Sequence, residues 1–125
     1  MVEIIAGEKG KGKTKYLLDK VNSSIESATG NIVYLDKSQK HMHELSNKVR
    51  LINVADYPIT NCDEFIGFIC GIVSQDYDLQ EMYLDSFLTI GSITDDLIVH
   101  AIEKLDIISE KYGVKFVLSV SKNEA

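Results

Sequence analysis

Apolar positions along this chain fall into two alternating kinds of run. Short, nearly unbroken runs rich in β-branched and aromatic residues occur at Val2-Glu3-Ile4-Ile5-Ala6, Asn31-Ile32-Val33-Tyr34-Leu35-Asp36, Val49 to Val54, Glu81-Met82-Tyr83-Leu84-Asp85 and Val114 to Val120. Runs of that length and composition predict strands, most of them buried on both faces. Between them the apolar residues take helical spacing: Tyr16, Leu17, Leu18, Val21, Ile25 and Ala28; then Phe65, Ile66, Phe68, Ile69, Ile72 and Val73; then Leu97, Ile98, Ala101, Ile102, Leu105 and Ile108. Those stripes predict three helices with one face in a core. Punctuation agrees with the periods. Gly30 and Gly113 stand where the first and last helices should stop. Pro58 closes the third strand. Asn61 and Glu64 have capping-box spacing, and Thr94-Asp95-Asp96 reads as a helix start. Residues 37–48 are polar and predict at most a short helix. His41 and His43 diverge on such a helix, so they predict a solvated face and no shared metal. Gly67 and Gly71 share one helix face and permit close backbone approach, to the sheet or to a second subunit, with the sheet expected.

Strands alternating with helices predict long, right-handed crossovers. The fold class is therefore α/β: a three-layer parallel sheet with helices on both faces. Ligand then binds at the carboxyl ends of the strands. Gly7, Asp36, Asp85 and Ser121 all fall at such ends.

Between the first strand and the first helix lies Gly7-Glu8-Lys9-Gly10-Lys11-Gly12-Lys13-Thr14, followed by Lys15. It reads G-x-x-x-x-G-K-T in the strand–loop–helix context that gives this pattern meaning. Glycines let the backbone turn tightly and aim successive N–H groups inward. A helix start adds unpaired N–H groups and the positive end of a dipole. The chain here resembles the P-loop NTPase superfamily. The resemblance implies that Gly7, Glu8, Lys9, Gly10, Lys11, Gly12, Lys13, Thr14 and Lys15 hold a nucleoside triphosphate, ATP or GTP. It also implies that Lys13 reaches the β- and γ-phosphates and that the Thr14 hydroxyl ligates Mg²⁺.

The apolar run into Asp85 resembles Walker B, which would make Asp85 the second Mg²⁺ residue, usually through water. The order of elements resembles a RecA-like ATPase core, which implies strand order 3-2-4-5-1 and sets Asp36 beside Asp85. Departures bear on catalysis. Two residues beyond the acid of the second strand, where the RecA-like pattern has a catalytic glutamate, stands Ser38; after Asp85 stands Ser86; and at the sensor position of the last strand stands Ser121, in place of an amide. Lys13 and Asp36 are thus the candidate catalytic residues, Asp36 as a substitute base. Arg50 is the sole arginine and no lid insertion is visible, which disfavours small-molecule kinases. Glu8 stands where the dimerising deviant-Walker ATPases carry a lysine. Short bacterial P-loop proteins, some bearing a twitching-motility ATPase name, are similar as well.

Composition narrows the partners. The chain has 125 residues, predicting one domain over 1–125, and a net charge of −6. An acidic protein with a local run of lysines at one loop, Lys9, Lys11, Lys13 and Lys15, suits a small polyphosphate better than nucleic acid. No run spans a membrane or forms a signal peptide, and Cys62 and Cys70 fit no metal or redox spacing. Reduced, buried thiols and a cytoplasmic location are the expectation. Three functions compete: Mg²⁺-dependent ATP binding with slow or partner-triggered hydrolysis, a non-hydrolysing nucleotide-responsive adaptor that meets a protein partner or a second copy, and phosphoryl transfer to a small acceptor. No guanine-reading Asn-Lys-x-Asp run occurs, which favours ATP.

Overall fold

The computed structural model describes residues 1–8, 10 and 12–121. In chain order the elements are β1 (Val2–Gly7), α1 (Lys13–Ser27), β2 (Asn31–Asp36), β3 (Arg50–Asn53), α2 (Cys62–Ser74), β4 (Leu79–Leu84), α3 (Phe87–Ile90), α4 (Ile98–Tyr112) and β5 (Lys115–Ser121). Short 3₁₀ turns cover Met42–Glu44, Val54–Asp56 and Asp95–Leu97. All strand pairings are parallel, and the sheet order is β1-β5-β4-β2-β3. Counted from the β3 edge, that order reads 3-2-4-5-1.

Alternation along the strands divides the apolar residues between two cores. Ile32, Tyr34, Tyr83 and Val117 meet Leu17, Leu18 and Val21 of α1. Val33, Leu35, Met82, Leu84, Phe116 and Leu118 point the other way, into a larger core with Phe65 and Ile69 of α2, Phe87 of α3, and Ala101 and Leu105 of α4. Asp36, Asp85 and Ser119 each lie two residues beyond a side chain of the first core, so they continue its face past the end of α1's apolar stripe. This shared register brings the polar strand ends under the start of α1.

Several local expectations need correction. Gly30 does not stop α1; Ala28 caps it in an extended conformation. Gly30 instead lies so close to β4 that a Cβ there would stand 2.3 Å from the Asp78 carbonyl oxygen. Gly67 and Gly71 do not approach the sheet: both are exposed, with nothing within 4 Å of an added Cβ. Cys62 is buried but Cys70 is exposed. The capping box is only half formed: Asn61 Oδ1 accepts from the Glu64 amide at 2.9 Å, while Glu64 Oε1 reaches the Thr60 amide at 2.7 Å. α3 was not legible in the sequence. Ser86 takes a left-handed conformation, φ 59°, which swings Phe87 and Leu88 into the core immediately after β4.

Candidate functional site

The chain leaves β1 at Gly7 and enters α1 at Lys13. Gly10 and Gly12 hold φ of 82° and 81°, the left-handed region that glycine enters without Cβ strain. Gly12 caps α1 with no side-chain bond, leaving amides of the first turn open to a ligand. The Lys13 ammonium folds back onto the Glu8 carbonyl oxygen. Lys9 and Lys11 lie outside the described residues.

Thr14 follows on the first turn of α1, and its hydroxyl donates to Asp85 Oδ1 at 3.2 Å. Asp85 is 3% exposed and takes two further hydrogen bonds, from the Tyr34 hydroxyl to Oδ2 at 2.8 Å and from the Ser119 hydroxyl to Oδ1 at 3.1 Å. Bonds of this kind to a charged group are each worth about 1.5–3 kcal/mol, so Asp85 is held in one orientation. Ser119 Oγ also accepts from the Ser86 amide at 2.7 Å and so braces the left-handed turn after β4. Burial, then the Asp85 charge, push the Tyr34 hydroxyl far above the usual phenol range, so it remains a donor.

Asp36 ends β2, 3% exposed. Its Oδ1 accepts from the Lys37 amide at 2.7 Å, and its buried Oδ2 has no partner. Burial pushes its carboxyl above the usual range and the Asp85 charge adds to that; the Lys37 amide and the charges of His41 and Lys37 pull the other way. Sequence reasoning missed Tyr34 and Ser119. The signal was there: a tyrosine inside a strand needs a hydroxyl partner, and Tyr34 and Ser119 share the strand face of Asp36 and Asp85. Ser121, the expected sensor, sits at the carboxyl end of β5, paired with Gly7 where β1 enters the glycine loop. Lys15 is paired with Asp19 at 3.0 Å on the exposed side of α1.

Two hollows are relevant. The larger, about 860 Å³, lies along β3 and α2 at the sheet edge and includes neither Thr14 nor Asp85. A smaller one, about 430 Å³, opens beside Thr14. The smaller hollow borders the site through Thr14, which bonds Asp85, although neither hollow is lined by Asp85, Gly10 or Gly12 themselves. Among the described residues no group of three or more His, Cys, Asp or Glu could hold a metal by itself, and no helix is long and apolar enough to cross a membrane.

Layers, parallel sheet and strand order define a three-layer α/β protein whose arrangement fits a RecA-like fold. The fold is similar to that of the flagellar accessory protein FlaH from Methanocaldococcus jannaschii, with TM-score 0.67 and 13% identity over 99% of this chain and 62% of that one. At that identity the likeness is one of fold, and this chain spans less than two thirds of FlaH. No protein-family model and no curated protein matches the sequence.

Proposed function

We propose that this protein binds a Mg²⁺-nucleoside triphosphate, with ATP favoured, and hydrolyses it slowly or when a partner triggers it. The observation that carries the reading is the pairing of two left-handed glycines at the head of α1 with a Thr14–Asp85 contact of 3.2 Å directly behind them. Triphosphate oxygens suit the open amides of Gly12 and the first turn. The Lys13 ammonium, now on a carbonyl oxygen of its own loop, exchanges that neutral partner for phosphate charge.

The donor set fits Mg²⁺. It is a hydroxyl and a carboxylate, both hard oxygens, and a carboxylate buried at 3% needs a cation more than it needs a third hydroxyl. Thr14 and Asp85 are the residues that would hold the ion, with Tyr34 and Ser119 orienting the carboxylate. Bound there, Mg²⁺ supplies charge neutralisation along the β- and γ-phosphates. Lys13 adds a second positive charge. Asp36 is the remaining carboxylate at the site, but its free oxygen is closed off from solvent. Water reaches it only through an intermediary, which accords with slow turnover.

The test is calorimetric titration with ATP, GTP and ADP, with and without Mg²⁺. Triphosphate binding strengthened by Mg²⁺ is expected. Asp85→Asn should remove most of that strengthening and leave Mg²⁺-free binding nearly unchanged. A variant with parental Mg²⁺ dependence would reduce Asp85 to a strand end.

A further inference from the structure

The 3₁₀ turn at Met42–Glu44 brings a histidine to the same hollow as Thr14. His41 is not on a solvated face: its side chain is 21% exposed, and Nδ1 lies 3.0 Å from Glu44 Oε2. The hollow of about 430 Å³ is lined by Thr14, Lys15, Asp19, Asn22, His41 and Glu44. The segment is held there by α1. Asn22 Nδ2 donates to the Glu44 carbonyl oxygen at 2.7 Å, and Asn22 Oδ1 accepts from the Ser46 amide at 2.8 Å. Leu45, between those two bonds, is buried in the core under α1. A side-chain clip plus a buried leucine fixes the turn far more firmly than a polar connection of this composition needs.

Chemistry assigns the imidazole's tautomer. A carboxylate only accepts, so the nitrogen beside it carries the proton, and in the neutral ring Nε2 keeps a lone pair. Nε2 has no hydrogen-bond partner among the described residues. We propose that His41, oriented by Glu44, is the general base of this site, taking the proton of the water that attacks the bound triphosphate. The inference rests on triphosphate binding at the glycine loop. In the step, the water oxygen bonds to the γ-phosphorus and the bond from that phosphorus to the β–γ bridging oxygen breaks. The electron pair stays on the diphosphate, and the water proton passes to His41 Nε2. Glu44 is a positioning residue.

The full chain is tested by single-turnover hydrolysis of Mg·ATP, with calorimetric binding alongside and nitrogen NMR of the His41 imidazole in the nucleotide-free protein. His41→Gln should slow hydrolysis at least about 10-fold, at the low end of what general bases contribute, with affinity changed less than about 2-fold. Glu44→Gln should cause a smaller loss in the same direction. The spectrum should show the proton on Nδ1 in the parent and a mixed tautomer in Glu44→Gln. The proposal is overturned by parental hydrolysis in a His41→Gln protein that binds ATP, by a proton on Nε2, or by a parent that binds Mg·ATP and never turns it over. A parent that binds no triphosphate overturns the underlying reading as well, and the binding isotherm separates that outcome from the others.

Discussion

Lys13 illustrates how a single side chain carries the affinity argument. It has no carboxylate partner among the described residues, only the Glu8 carbonyl oxygen of its own loop. Under the proposed function, removing it takes away a charge that would meet phosphate and leaves the fold's packing alone. Lys13→Ala should weaken ATP binding by at least about 10-fold, or about 1.4 kcal/mol, measured by calorimetry on a protein with parental thermal stability. Unchanged affinity would sink the phosphate-loop reading. Asp36 makes a different prediction, about stability. Its folded carboxyl titrates above its ordinary value of 3.8, chiefly because it is buried. A raised carboxyl favours the fold at low pH, and that contribution is lost as pH climbs from the unfolded value through the folded one. Asp36→Asn removes the ionisation, so it should melt at higher temperature than the parent at neutral pH. The gap should close as pH falls toward 3.8. A gap of constant size across that range would mean the carboxyl is not held under strain. A residue that destabilises its own fold at neutral pH fits a functional group better than a structural one.

At the scale of elements, the connection between α1 and β2 shows what pattern reading resolves and what it does not. The runs of apolar residues marked every strand of the sheet and its three long helices, because burial on two faces leaves little freedom in composition. The P-loop pattern placed Gly12 at the head of α1 for the same reason: the positive φ restricts the residue. Gly30 was misread because a glycine after a helix serves two purposes, a left-handed stop or a close approach, and only the tertiary neighbour decides. Here the neighbour is β4. Gln80 Oε1 accepts from the Thr29 and Gly30 amides at 3.2 and 2.9 Å, and the Asn31 amide donates to the Asp78 carbonyl at 2.7 Å. Gly30→Ala sets a methyl group against that backbone carbonyl and should cost about 1–3 kcal/mol in urea denaturation. A loss under a few tenths would imply that the corner yields freely. α3, and the exact place of the short helix expected within residues 37–48, escaped the sequence for a related reason. Each is about one turn long, too short for a hydrophobic period to repeat, and each is fixed by contacts with residues distant in the chain, Ser119 in one case and Asn22 in the other.

For the whole molecule the question is rate. Phosphoryl transfer to water needs an oriented nucleophile and positive charge over the γ-phosphate. The fold sets Lys13 and Thr14, at the head of α1, against Asp85 just past β4, which with the proposed Mg²⁺ would meet part of the charge requirement. It sends the sole arginine elsewhere. Arg50 begins β3, at the amino end of a strand whose carboxyl end, Asn53, lies on the site's edge beside Asp36, and it lines the larger hollow at the rim of the sheet. An arginine finger is worth about 10³–10⁵ in rate, and this chain cannot aim one at its own site without unpairing β3. The two acid–base candidates do not replace it: Asp36 is sealed, and a base moves a proton without neutralising the phosphate. Purified protein should therefore hydrolyse ATP below about 0.1 s⁻¹ under steady-state conditions. A partner or second copy that inserts a cation near Thr14 should raise the rate without tightening ground-state ATP binding to the same degree, because the added charge acts mainly where charge develops in the transition state. Free guanidinium is a crude stand-in for such a partner, and partial acceleration by millimolar guanidinium would locate the deficit at the missing charge. Turnover near 10 s⁻¹ by the chain alone, well above the range expected of an arginine-free site, would instead mean that the lysines of the glycine loop already supply it.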